Sequence, residues 1–139
     1  MGEDPPMARR DTQKLLPGIA AAFVVALGLK LFLFDFMIAE GSSMSPAIRP
    51  GTILVISRLR YGFRLPGSRS YLLRWDNPAP GEVVVFYTPE DLIAVKRCAG
   101  LTGKGDFIAL GDNGVQSFDS RSYGPVPADN IIGKVLGIK

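Results

Sequence analysis

Three short stretches of this chain carry residues that could do chemistry. They are Gly41-Ser42-Ser43-Met44-Ser45-Pro46, Val95-Lys96-Arg97, and Gly111-Asp112-Asn113 running on to Ser117-Phe118-Asp119-Ser120-Arg121. Taken singly, each has an ordinary reading: a serine-rich turn, a solvated basic pair in a strand, a hairpin tip. Histidine is absent from all 139 residues, and Cys98 is the one cysteine. Imidazole-activated serine or cysteine catalysis and the histidine-based zinc motifs are therefore excluded. A lone thiol also closes no intrachain disulfide and builds no thiolate metal site. A serine nucleophile here needs another base, and a lysine amine is an established one. That amine must be neutral to accept a proton, and burial among apolar groups favours the neutral form.

The elements that must position these groups follow from the hydropathy pattern. Lys96 falls in LIAVKRCA (92–99), which reads as a strand. Strand alternation places Leu92, Ala94, Lys96 and Cys98 on one face, with no carboxylate among them, and Arg97 on the other. Alternation alone leaves open which face is buried. TILVISRL (52–59), EVVVFY (82–87), DFIAL (106–110) and IIGKVLGI (131–138) are further short runs rich in Val, Ile and Phe. Pro50-Gly51, Pro80-Gly81, Gly103–Gly105 and Asn113-Gly114 punctuate them, which is the pattern of an all-β domain of short strands. Asn113-Gly114 suits a tight turn with positive φ. The Gly/Pro/Arg-rich stretch 62–80 reads as a loop or a loosely held hairpin.

The N-terminal third has a different character. Residues 1–14 are polar and contain Arg9, Arg10 and Lys14. Residues 15–36 (LLPGIAAAFVVALGLKLFLFDF) are long and apolar enough for a transmembrane helix, with Pro17 in its first turn. Lys30 can snorkel to the interface, leaving Phe32, Phe34 and Phe36 near the membrane surface. The length of the run, and the lack of a clean small-x-small site after it, favour an anchor over a removable leader. The basic residues before it place the N-terminus in the cytoplasm and the β domain outside. The chain thus divides into a tail (1–14), an anchor (15–36) and an extracytoplasmic domain (37–139). Net charge is +3, and no basic run is interleaved with aromatics, so nucleic acid is not an expected partner.

The order and wording of the motifs resemble the bacterial type I signal peptidases, membrane-bound serine proteases that use a Ser-Lys dyad. Leu29–Phe36 resembles the end of that family's anchor, Gly-Ser-Ser-Met-Ser-Pro (41–46) its nucleophile box, and Gly81–Phe86 a strand entry that usually begins Gly-Asp. Val95-Lys96-Arg97 with Gly100-Leu101 resembles the general-base box. Gly111-Asp112-Asn113 with Ser117-x-Asp119-Ser120-Arg121 resembles the last box, followed by Gly124-Pro125-Val126 and Ile132-Gly133-Lys134. The likeness covers about residues 28–134.

The resemblance implies a mainly β, partly open barrel-like protease domain after one membrane helix. It implies Ser43 as nucleophile, Lys96 as general base, Ser117 as the hydroxyl that orients the amine, and Asp119 with Arg121 as a supporting ion pair. Gly111, Asp112 and Asn113 would support the site. The Ser43 N–H would hold the oxyanion. Many Gram-negative members add a hydroxyl two residues earlier, where this chain has Gly41, so a second donor must come from elsewhere. Met37, Ala39, Met44, Ile48, Ala94 and Val95 would line pockets for small side chains of an extended substrate. The implied substrates are signal peptides of exported preproteins, cut through an acyl-enzyme. No metal or cofactor is implied, and membrane lipid and a monomeric state are expected. Larger members insert a second β domain between base and last box, where this chain has about 14 residues. A specialised peptidase of the same clan, or a silent membrane-tethered β binding module, are the alternatives.

Overall fold

The computed structural model describes residues 9–138, with side chains described from Leu15 to Gly137. Helix α1 runs Arg9–Phe32, so Pro17 lies inside it rather than in its first turn. Within α1, Leu15–Phe32 is apolar and none of it is buried against the rest of the chain. These 18 residues extend about 27 Å at 1.5 Å each, close to the roughly 30 Å of a bilayer's hydrocarbon core.

The helix ends earlier than the apolar run. Leu33 N–H still donates to Leu29 O at 2.9 Å, after which the chain turns straight into strand β1, Phe34–Ile38. The last residues of the expected span are therefore extended. The reason is visible in the sequence: Phe34, Phe36 and Ile38 alternate with Asp35 and Met37, a period of two that a helix cannot sort onto one face.

The expected strands are present as β2 Ile53–Ser57, β5 Val83–Tyr87, β6 Ile93–Leu101, β7 Phe107–Leu110 and β8 Ile131–Ile138. With β1 they form one antiparallel sheet in the order β1-β2-β8-β5-β6-β7. Strands β1 and β7 do not pair, so the sheet curls without closing, which is the partly open architecture expected. The 62–80 stretch is a small ribbon, β3 Gly62–Phe63 with β4 Leu73–Arg74. A short helix α2, Ser120–Tyr123, and a 3-10 turn, Ala128–Asn130, complete the described elements.

Two apolar clusters lie on opposite faces of the central strand β5. Val84 and Phe86 join Tyr61, Cys98, Phe107 and Ile131, while Val85 joins Ala39, Met44, Ile48, Leu54 and Ile56. The second cluster is the floor under the 41–46 turn. Half-buried Glu82 ties the entry of β5 to its neighbours: it accepts from Tyr61 Oη at 2.7 Å, Lys134 Nζ at 2.6 Å and Ala79 N–H at 3.1 Å. Cys98 is fully buried, as expected of a small apolar-like side chain.

Strand β8 must approach β2 closely, and Gly133 permits it. A Cβ there would sit 2.4 Å from Ser57 O and 2.7 Å from Ile56 Cγ2. Gly133→Ala should cost about 1–3 kcal/mol by forcing β2 and β8 apart, seen as a lower thermal midpoint of the full chain in detergent. An unchanged midpoint would contradict this packing.

Candidate active site

The Gly41–Pro46 stretch forms a tight turn shortly after β1. Ser45 N–H donates to Ser42 O at 3.0 Å and Ile48 N–H to Met44 O at 2.9 Å, while Met44 and Ile48 are buried as plugs. Gly41 supplies a φ of +76° just before the turn, a conformation costly for a side chain with a Cβ. Among the described residues nothing accepts the Ser43 N–H, which leaves it available to a ligand.

Lys96 arrives from β6. It pairs in register with Val84, so its side chain shares that strand face with Ala94 and Cys98 and opposes Arg97. The face with Lys96 is the buried one, although Leu92 lies outside the strand and is exposed. Lys96 is 5 % exposed, and among the described residues no group accepts a hydrogen bond from its amine. Burial holds its pKa below the ordinary lysine value; the nearby Asp119 charge opposes this and the Arg121 charge reinforces it. The sequence showed no carboxylate on the same strand face, but one approaches from the 117–121 segment.

That carboxylate is spoken for. Asp119 is fully buried and accepts from Gly111 N–H at 2.8 Å, Ser117 Oγ at 2.6 Å, Arg121 N–H at 3.1 Å, and Arg121 Nε and Nη2 at 2.9 and 2.6 Å. These donors, led by the Arg121 guanidinium, hold it well below the usual carboxylate range. The Ser117 hydroxyl thus gives its proton to Asp119. Among the described residues it makes no bond to Lys96, in contrast to the orienting contact expected, though its oxygen can still accept.

Gly111-Asp112-Asn113 ties this network to the 41–46 turn. Asn113 N–H donates to Ser43 O at 2.9 Å and its Nδ2 to Ser42 O at 3.2 Å. A Cβ on Gly111 would fall 2.1 Å from Ser117 Oγ and 2.7 Å from Ser43 O, so only glycine lets the segments meet. Asp112 turns away and grips Arg97 with both oxygens, at 2.9 and 2.7 Å. Neither Asn113 nor Gly114 has positive φ, contrary to the tight-turn expectation. Gly114 is needed for space instead: a Cβ would lie 2.8 Å from Arg121 Nη1.

Ser43 and Lys96 line one groove of about 380 Å³. Met37, Ala39, Met44, Ile48, Ala94 and Val95 all line it, joined by Ile38, Glu40, Gly41 and Ile93. The groove exists because β7 begins to pair with β6 only at Arg97, leaving Ile93–Lys96 with a free edge opposite β1. Gln116, given no role from the sequence, accepts from Ser42 Oγ and from Asn113 Nδ2. A polar residue between two boxes carried no signal of its own. Among the described residues no cluster of acids, histidines or cysteines could hold a metal ion.

The family model for "Signal peptidase, peptidase S26" matches residues 12–105 and 103–138. The chain belongs to this family of serine endopeptidases. It is 27 % identical to the signal peptidase I of Bacillus caldolyticus, covering 86 % of both chains. It is 23 % identical to signal peptidase I V of Bacillus subtilis, over 86 % of this chain and 94 % of the relative. Against the signal peptidase I of Pseudomonas aeruginosa identity is 33 %, over 81 % of this chain but 38 % of the larger relative. The chain is thus close in length to the two Bacillus relatives and much shorter than the Pseudomonas one, and only residues 102–106 separate β6 from β7.

Two consequences can be measured. Asp119→Ala leaves the Gly111 N–H without its acceptor and should cost about 3 kcal/mol or more. Because the Asp119 pKa is depressed in the folded state, its stabilisation is present above about pH 4 and lost as pH falls further. The difference between wild type and variant in denaturant melts should therefore shrink in acid; a constant difference would argue against the clamp. Lys96→Met should act oppositely. A lysine with a depressed folded-state pKa costs stability at neutral pH, and the cost fades as pH rises towards the ordinary lysine value. The variant should gain about 1 kcal/mol, some 4–8 °C in midpoint, near neutral pH and less at alkaline pH.

Proposed function

We propose that this protein is a membrane-anchored signal peptidase that cuts exported preproteins after small residues, with Ser43 as nucleophile and Lys96 as general base. The observation that carries the reading is the meeting, in one groove, of a serine hydroxyl and a buried amine without an acceptor. The neutral Lys96 amine takes the Ser43 proton as Oγ attacks the scissile carbonyl. The unpaired Ser43 N–H lies where a developing oxyanion needs a donor. The Lys96 ammonium then protonates the departing amine, and in its neutral form activates the water that hydrolyses the acyl-enzyme. Ser117 positions the amine through its free lone pair.

The substrate lies extended in the groove, pairing with the free edge of β6 and presenting alternate side chains to the apolar wall. Ala39, Met44, Ala94 and Val95 leave room for small side chains next to the cut. The helical segment Leu15–Phe32 anchors the enzyme, with the basic residues Arg9, Arg10 and Lys14 cytoplasmic and the β domain outside; of the tail, residues 1–8 lie outside the described residues.

Ser43→Ala and Lys96→Ala should each lower precursor cleavage by about 10³-fold or more while leaving a folded protein. In the wild type, kcat/KM should rise with pH along an acid limb set by Lys96 deprotonation, lying below the ordinary lysine value. Lys96→Arg should be inactive at every pH, because a guanidinium does not deprotonate. Cleavage by any of these variants at the wild-type rate would overturn the dyad.

A further inference from the structure

The groove beside Ser43 holds a charge that the cleavage chemistry does not use. Glu40 lines it, and among the lining residues Glu40 and Lys96 alone carry ionisable side chains. Glu40 is exposed, and among the described residues its carboxylate pairs with no cation. The neighbouring charges are already matched: Asp35 with Arg58, Arg97 with Asp112, and Asp119 with Arg121.

Backbone geometry fixes which way Glu40 points. Ala39 directs both of its backbone groups to the β2 side: its N–H donates to Thr52 O and its carbonyl accepts from Gly51 N–H, each at 2.8 Å. The backbone groups of Ile38 and Glu40 therefore face the other way, towards the groove. On β6, Cys98 N–H donates to Glu82 O and Gly81 N–H to Cys98 O, so Ile93 and Val95 turn theirs to the groove as well. Side chains alternate along these edges too. Ala39 is buried with Met44 and Ile48, and Met37 and Val95 pack against that cluster. Ile38 and Glu40 project to the opposite face, where both are exposed.

An extended substrate lying between the two edges alternates in the same way. Its small side chains, on the first and third residues before the cut, enter the Ala39/Met44/Ile48 side. The second residue then projects on the face of Glu40, which stands three positions before Ser43 in the chain. We propose that Glu40 is a specificity-determining residue, whose carboxylate favours lysine or arginine as the second residue before the cut and disfavours an acid there. This rests on the reading of the groove as the cleavage site with Ser43 as nucleophile. Opposite unit charges about 4 Å apart in water attract enough to change a rate about fivefold, and like charges repel as much.

The full chain in an uncharged detergent is given three peptides with alanine as the first and third residues before the cut. They differ only in the second, which is lysine, glutamine or glutamate. At about 20 mM salt, kcat/KM for the lysine peptide should exceed that for the glutamate peptide about tenfold. At about 1 M salt, where charges are screened within about 3 Å, the ratio should fall to about twofold or less. Glu40→Gln should bring the low-salt ratio to the same small value, and Glu40→Lys should invert it. Equal cleavage of all three peptides by the wild type overturns the Glu40 proposal and leaves the cleavage reading standing. A lysine preference that survives in Glu40→Gln, or that salt does not weaken, has another source and equally overturns it. If the folded wild type cuts none of the three, the cleavage reading fails and the proposal with it. Should Glu40→Lys not fold, Glu40→Gln and the salt series decide the matter.

Discussion

An amine kept out of water without a carboxylate of its own is the constraint on which this structure turns. Lys96 is 5 % exposed, and the acid nearest in effect, Asp119, would ordinarily restore its charge. Arg121 prevents this by forking onto Asp119 through Nε and Nη2. With Gly111 N–H and Ser117 Oγ also donating, the carboxylate is satisfied before the lysine can compete for it. Burial then dominates the balance. The glycines at 111 and 114 belong to the same constraint, since a Cβ at either would push the Ser43 turn or the guanidinium out of place. An arrangement of this kind costs stability, because an amine is desolvated without an acceptor to compensate it.

The groove has an equally simple cause. Strand β6 is nine residues long and β7 four, so the partner stops short and Ile93–Lys96 keeps an open edge. Open edges invite pairing with foreign strands. Here the edge faces a wall made by β1 and the Met44 turn. The plugging of Met44 and Ile48 into the cluster beneath β2 and β8 makes that wall rigid. The groove is thus built where pairing fails between two strands that are elsewhere well matched, and the Ser43 turn is held beside the end of β7 by Asn113.

How far this was readable in advance differs by residue. The strands of the sheet were legible as β-branched runs between Pro-Gly signals, and the groove-lining residues flanked the two chemical boxes. The burial of Lys96 was half legible: alternation paired it with Ala94 and Cys98, but nothing local said that this face points inward. The helix end was misjudged because hydropathy continues through Phe34 and Phe36, while the change to a two-residue period begins there. Pro17 misled similarly, since the helix starts among polar residues that carry no apolar signal. The Asn113-Gly114 pair had the composition of a tight turn, yet its glycine answers to the Arg121 side chain, a contact between separate segments that no local pattern encodes. The Ser117 hydrogen bond was hidden for the same reason.

Anchor and site are mechanically one piece. No linker separates them: α1 hands over at Leu33 to β1, and Arg58 N–H closes on Leu33 O at 2.9 Å while its guanidinium meets Asp35 at 3.2 Å. From Phe32 to the groove wall at Met37 is five residues, about 16 Å when extended. In the signal-peptidase reading, a groove held that close to the end of a membrane span favours a chain that is itself emerging from the same bilayer. On the proposed reading this proximity does part of the work of selection, because small side chains next to the cut are common in any protein, whereas an extended segment presented at that height is not. On that reading, a domain shorter than its Pseudomonas relative can rely on its attachment to the membrane to choose where it cuts.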